Sequence, residues 1–563
     1  MANIWRNIMV SHLFSLALLL CGLTSFSMFS SVAMAAPKTK VTVPAVQPNA
    51  QAPQGGSVTT NFPAEPSSIH PITSTDLYSR NIHDLTLASL LTKDPETYEW
   101  KPYLAEKWDI SKDGKVFTFY LRKNATFHDG QPITAEDVKF SFDAIFEPKY
   151  NAAFKRPYYE QISRVEIVDP YTVKFFAKSV YFQNFDICAG MYIIPKHIYS
   201  DVDKSKKMNK ELVGSGPYML EKYERGQKIV LKKYANWFGK DDPLYKGEYN
   251  FETLNFRFVK EENVYLEMVK RGDIDYGDLT PEQYAKKTDG DPWGKTVLKV
   301  KADNVEPKGY RFVGWNLRND LFKDRDVRMA LAMLMNREEM NQKFRYGLSV
   351  LATGPTDYFS DYASPNVKPV PFDPKKAAEL LAKAGWKDSN KDGILDKMIN
   401  GKRVDFRFTV VHANKDFEKY LTFYKEDLKK AGIDMEVKYF EWNSFLKTLD
   451  EGKFDAICLA WTTSIEFDPK QIWSSSSAVP GGSNFIGYKN PEVDQLIEKA
   501  RAEMDRKKRI PLFRKVYEII AHDAPYVFMF NEKYDFYAAS AKIGRPADTF
   551  KYSVGSDYWW MKP

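Results

Sequence analysis

The chain has little that would make it a redox, metal or nucleophilic enzyme. Only three of its 563 residues are cysteine, at Cys21, Cys188 and Cys458, and no two approach C-x-x-C spacing. G-x-S-x-G, H-E-x-x-H and G-x-x-x-x-G-K-S/T are all missing, so no nucleophile elbow, zinc-protease helix or phosphate loop is displayed. Six histidines follow residue 35 (His70, His83, His128, His197, His412 and His522), and none sits four residues from another. That scatter argues against a transition-metal site, and nothing calls for a cofactor. Charge of one sign is also scarce in excess. The 81 basic and 74 acidic residues are interspersed and leave +7, too thin a surplus for a nucleic-acid surface. Beyond the N-terminus no apolar run reaches the ~18–20 residues a membrane helix needs. A hydrolase is not fully excluded, because triads assemble from distant positions.

What is present begins with an export signal. Arg6 precedes an apolar run from Ile8 through Leu23, and Ala33-Met34-Ala35 puts small residues where a signal peptidase reads. Cleavage is expected after Ala35, releasing a soluble periplasmic protein. Lipid attachment through Cys21 is disfavoured because Leu20, not a small residue, precedes it. About 528 residues remain, enough for two or three domains. Cys188 and Cys458 lie far apart in apolar runs and read as buried free thiols. Residues 36–56 are rich in Pro, Ala, Gln and Gly and read as a flexible tether, with ordered structure beginning near Ser57.

Strand and helix signals then alternate to the end. Val404 to Val410 and Leu254 to Phe258 alternate strictly, the period of a half-buried strand. Thr134-Ala135-Glu136-Asp137 reads as a capping box ahead of Val138, Phe142 and Ile145 at helical spacing. Asp373-Pro374 and Asn490-Pro491 open two further helices. Asp388 to Asp396 has the oxygen spacing of a calcium loop, but the twelfth position, which should be glutamate, is Ile399. It reads as an Asx- and Gly-rich turn into the 404–410 strand. Mixed elements without a repeat indicate an α/β assembly.

Several segments, in order, resemble the family-5 extracellular solute-binding proteins, the peptide-, dipeptide- and nickel-binding group of ABC importers. They are Leu104-Ala105-Glu106-Lys107-Trp108, Asp113-Gly114 with the apolar strand after it, Phe127-His128-Asp129-Gly130, Gly214-Ser215-Gly216-Pro217-Tyr218, Val327-Arg328-Met329-Ala330-Leu331 and Asn484-Phe485-Ile486-Gly487-Tyr488. The matches span roughly residues 57–540. The resemblance implies a two-lobed periplasmic-binding-protein-like fold with an extra subdomain, its mixed-sheet lobes joined by a two-strand hinge. Lobe I would be 57–87, 214–309 and 529–563, the inserted subdomain 88–213, and lobe II 310–528.

It further implies a monomer that captures a peptide or peptide-like solute by hinge closure and hands it to membrane permease subunits, without catalysis. The ligand-binding segments would be Thr75-Asp76-Leu77 and Ala460-Trp461-Thr462, where Trp461 either stacks on the ligand or is structural. One departure concerns the aspartate that many peptide-binding members carry three residues after this tryptophan to hold the ligand's ammonium. The residue here is Ser464. Either Glu466 or Asp468 replaces it, or the ligand has no free amine there, because an unpaired buried ammonium is costly. The alternatives on the same scaffold are an oligosaccharide, an opine or a metal chelate. Intact-mass measurement of the protein recovered from the periplasm is expected to give a chain beginning at Ala36. A mass that includes the first 35 residues, or an added lipid, contradicts this.

Overall fold

Residues 105–121 show how local chemistry sets the architecture. Gly114 adopts φ +66°, a left-handed turn that other residues resist, while Asp113 accepts a hydrogen bond from the Lys115 N–H at 3.2 Å. This turn joins Ala105–Ile110 to Val116–Leu121, whose Phe117, Phe119 and Leu121 point into a core while Tyr120 points out. The structure, a computed structural model, describes residues 46–563; the leader, its cleavage site and Cys21 lie outside them.

Three sheets organise the described residues. A seven-stranded mixed sheet runs, in spatial order, Tyr218–Glu224, Lys228–Lys233, Thr253–Phe258, Ser57–Phe62, Tyr276–Asp278, Asp535–Ser540 and Val297–Ala302. A six-stranded sheet runs Ser349–Leu351, Tyr526–Glu532, Tyr310–Trp315, Ala456–Trp461, Arg407–His412 and Asp434–Tyr439. The hairpin above joins Thr172–Ala177 and Ile162–Asp169 in a four-stranded antiparallel sheet between the first two in the chain. Tyr310–Trp315 has strands on both edges and packed faces above and below, and it is correspondingly apolar. Gly314 is required there, since a Cβ would stand 2.8 Å from the Tyr526 ring.

The three capped helices form at Ala135–Phe146, Pro374–Lys383 and Pro491–Ala502. The Asp137 carboxylate accepts the Thr134 N–H at 2.9 Å, closing one arm of the capping box. Both cysteines are free and buried. Two expectations fail. Val404 to Val410 is not one strand: Lys402–Asp405 pairs with Asp396–Ile399 in a separate hairpin, and the Phe406 N–H turns to Leu395 O before Arg407–His412 joins the large sheet. Within 36–56, residues 46–56 are not a free tether. Val46 packs with Phe550 and Tyr558, and the Gly55 N–H donates to Asn250 O at 2.8 Å. Residues 36–45 lie outside the described residues. Asp388 to Asp396 forms a turn whose carboxylates accept its own N–H groups: Asp388 takes those of Asp392 and Gly393, and Asp396 that of Ser389.

The chain crosses between the two large sheets twice, through 303–309 and 533–534. The Tyr526–Glu532 strand keeps its pairing with the six-stranded sheet through Glu532. Lys308 ties the crossings together, its ammonium reaching Asp535 and the Asn304 side-chain oxygen, each at 2.7 Å. Glu306 stands nearby. Water reaches it, yet desolvation by the surrounding protein, with Asp535 and Asp278 close by, pushes its carboxyl up to about 7 against the pull of Lys308. A carboxyl raised in this way contributes stability that is fully present below its ordinary 4.5 and lost as pH climbs through about 7. Glu306→Gln fixes the uncharged form. It is expected to melt above the wild type at about pH 8 and to converge with it near pH 4 in scanning calorimetry; a pH-independent difference defeats the coupling.

Candidate functional site

Between the two large sheets lies a cavity of about 860 Å³, bounded by the 63–80 segment, by 154–158 and 192, and by the six-stranded sheet with its loops. That volume is at the upper end for ligand pockets. Its geometry follows from an incomplete ladder. Arg407–His412 pairs with the neighbouring strand only at Ala456 and Ile457. The continuation from Cys458 to Trp461 therefore has a strand partner on one side alone, Tyr310–Trp315. Thr462, just beyond, makes no hydrogen bond within the described residues, and on the facing wall neither does Thr75. Two exposed backbone segments thus look into one cavity.

The cavity brings together Thr75, Asp76, Leu77, Ala460, Trp461, Thr462 and Ser464. Leu77 presents an apolar side chain that is 49% exposed. Asp76 faces inward differently: as N-cap of Leu77–Thr86 its carboxylate accepts from the Ser79 N–H and hydroxyl at 2.9 and 2.8 Å and from Ser67 at 3.0 Å. Trp461 is half-buried, stacked on Phe485 with centroids 5.7 Å apart, and it still forms part of the wall. Ser464 donates to Glu466 O at 2.7 Å.

Glu466 does not line the cavity. Its carboxylate is held by Arg506 and Arg509, each at 2.8 Å, and by the Tyr362 hydroxyl. Burial alone would raise this carboxyl, but those hydrogen bonds hold it below its ordinary value. Asp468 reaches the wall, yet its carboxylate is bound by Arg501 and by the Tyr181 hydroxyl at 2.6 Å. Neither acid is free to replace the missing aspartate at position 464. The Asp468 network extends across the cavity's edge, where Tyr158 donates to Gln471 at 2.6 Å, Glu160 pairs with Lys470, and Arg501 donates to Pro157 O at 2.7 Å.

Some wall residues carry no sequence signal. Lys155 falls in the chain between the 135–146 helix and the 162–169 strand, Arg311 on the Tyr310–Trp315 strand, and Asp450 at the end of the Trp442–Asp450 helix. No motif or periodicity marks them; only tertiary packing places them together.

Two mixed-sheet lobes, two crossing segments and an inter-lobe cavity edged by unpaired backbone define a two-lobed solute-binding protein. The chain belongs to the bacterial extracellular solute-binding proteins, family 5, whose family model for the middle region matches residues 99–483. Oligopeptide-binding protein AppA of Bacillus subtilis (strain 168) is 31% identical over 495 residues, covering 85% of this chain and 86% of AppA. The structure of AppA with a bound nonapeptide matches at TM-score 0.82 and 28% identity, over 91% of this chain and 100% of that one. NikZ of Campylobacter jejuni, solved with Ni(L-His), matches at TM-score 0.76 and 25% identity, over 90% and 99%.

Glu466 is thus expected to act in stability and not in recognition. Glu466→Ala leaves the buried Arg509 without its carboxylate and is expected to lower unfolding stability by about 2–3 kcal/mol, below the 3–5 kcal/mol of a fully buried pair because the glutamate is partly exposed. Chemical denaturation checks this, and an unchanged midpoint contradicts it.

Proposed function

We propose that the protein is the solute-capturing component of an ABC-type importer in the periplasm, where it encloses a peptide or peptide-like solute and passes it to membrane permease subunits. The observation that carries this reading is a strand edge at 458–461 left open on one side, running into Thr462, and the unbonded Thr75 on the facing wall of one cavity. Such segments suit β-strand addition, in which main-chain hydrogen bonds hold an extended ligand whatever its side chains, and pockets take the side chains. Each bond contributes only about 0.5–1.5 kcal/mol net. Micromolar binding needs about 8 kcal/mol, so the aromatic walls around Trp461, Phe485 and Trp442 must supply the remainder by apolar burial.

In this reading the lobes are 57–87 with 214–309 and 529–563, and 310–528, with 88–213 inserted. Sheet membership supports that division, apart from the four residues 529–532, which stay with the second sheet. The protein acts as a monomer and as a carrier, not an enzyme: the cavity wall offers binding surface, and the conformational step is hinge closure. No helix among the described residues is long and apolar enough to cross a membrane, which suits an exported, freely diffusing carrier. One observation favours a second reading, a non-peptide solute. Position 464 is serine and neither nearby acid is available to an ammonium.

A single experiment separates the two readings. The purified protein is screened by thermal shift against peptide mixtures, oligosaccharides, opines and metal chelates. Peptides are expected to stabilise it, by about 2.7 kcal/mol at a hundredfold excess over Kd, to be recovered uncleaved, and to bind more weakly after Trp461→Ala. Stabilisation by sugars, opines or chelates alone defeats the peptide reading, and cleavage of the bound compound defeats the carrier role.

A further inference from the structure

The inserted subdomain is built into the first lobe. Tyr234, Trp237 and Phe238 complete its hydrophobic core, and its own Tyr150 and Tyr199 enter the core of the seven-stranded sheet. Two shared cores make the pair one body, because parting them would expose apolar area on both sides. Its tie to the second lobe is of another kind. The apolar cluster around Phe312, Phe513 and Tyr526 is drawn from 310–528, and among the described residues a single side chain from outside that range packs on it, Phe182.

Phe182 stands on the short connection between the Thr172–Ala177 strand and the Asn184–Ala189 helix. The turn is held from its own side: the Asn184 N–H donates to Tyr181 O and the Asn184 side-chain amide to Ser179 O, both at 2.9 Å. Its outward side meets the second lobe at each of three consecutive residues. The Phe182 N–H donates to Arg501 O at 3.0 Å, a carbonyl in the last turn of the Pro491–Ala502 helix that falls outside the helix's own ladder. The Arg509 guanidinium lies 3.9 Å from the centre of the Phe182 ring, and the Phe513 ring meets it edge to face at 5.9 Å. On either side, Tyr181 donates to Asp468 at 2.6 Å and Gln183 to Glu466 O at 3.4 Å. None of 181–183 lines the cavity.

We infer that residues 181–183 form a strap, carried by the first body, that clasps the second lobe when the cavity shuts, so that Phe182 sets how tightly a solute is held without touching it. This rests on the hinge-closure reading above and deepens it. Rotation about the crossings at 303–309 and 533–534 carries the subdomain with the first lobe, and the strap must leave its seat whenever the cavity opens. The seat suits repeated use: one ring, one backbone hydrogen bond and two flanking side chains detach together, while the turn that presents them keeps its internal bonds. Phe182 is thus a positioning residue. It stabilises the closed arrangement alone, which lowers the apparent Kd by raising the share of molecules able to hold a solute.

The test places nitroxide labels at Lys149→Cys on the subdomain and Lys430→Cys on the second lobe, both exposed; the native Cys188 and Cys458 are buried and stay unlabelled. Distances between the labels are measured by pulsed electron paramagnetic resonance on the intact protein, alone and with increasing amounts of a tryptic peptide mixture. The wild type is expected to pass from a longer to a shorter distance as peptide is added. Phe182→Ala is expected to need about tenfold more peptide for the same shift, the worth of one aromatic contact with its cation. Its distance at saturation and its circular dichroism spectrum should match those of the wild type, and Phe182→Leu, which keeps an apolar group on the seat, should recover most of the loss. Equal midpoints for the wild type and Phe182→Ala overturn the strap. So does a longer distance in Phe182→Ala that saturating peptide fails to shorten while the wild type responds, because the contact is then a fixed seam. A wild type that no peptide moves defeats the peptide reading instead. The strap is then decided by the peptide-free samples, where Phe182→Ala should hold a smaller short-distance population than the wild type, and identical distributions overturn it.

Discussion

Lys308 sits where the chain passes from one lobe to the other, and much of the molecule hangs on how it is held. Its ammonium grips Asp535 at the start of the return strand, its N–H donates to Asp357 at 2.7 Å, and its carbonyl accepts from Thr463 at 2.8 Å. One residue thus joins both crossings to the loop that continues the cavity-lining strand. The adjoining Gly309 leaves no room for error, because a Cβ there would come within 2.3 Å of Trp461 O. Any rotation of the lobes must be absorbed by a few backbone angles beside this knot, so the strand that lines the cavity and the pivot that moves it are mechanically one piece.

In the proposed reading, recognition draws on two kinds of force that act differently. Aromatic walls such as Trp461 on Phe485 provide apolar area, which is strong but indifferent to orientation. The strand edge at 458–461, open on one side, would fix direction and register, because hydrogen bonds fail when misaligned. A carrier needs both in moderation. Affinity built from many small terms can be undone by a modest rearrangement, whereas one dominant contact would resist release.

How much could be read without the fold depended on the range of the interactions. The strand through Leu254 to Phe258 and the three capped helices were legible because their signals are local: side-chain alternation, an N-cap, a proline in the first turn. The 404–410 strand misled because its break at Phe406 is set by Leu395 O, a partner outside the pattern. Residues 46–56 looked featureless, yet Val46 finds its apolar neighbours some five hundred positions later in the chain. Seven of the eight site residues that the family resemblance implied line the cavity. Glu466 does not, since proximity in sequence carries no information about the arginines waiting at 506 and 509. Lys155, Arg311 and Asp450 were invisible for the complementary reason: only tertiary packing brings these distant positions to one wall.

The ionic belt linking the inserted sheet to the second lobe has a further consequence. Arg501 and the Asp468 side chain are each only 2% accessible to water, and they are sealed by Tyr181 and by the backbone at Pro157. Parting these surfaces would wet charges that are dry when the belt is shut. Separating the two surfaces therefore carries a hydration cost at the cavity's own rim. That cost belongs to the container, whatever it holds.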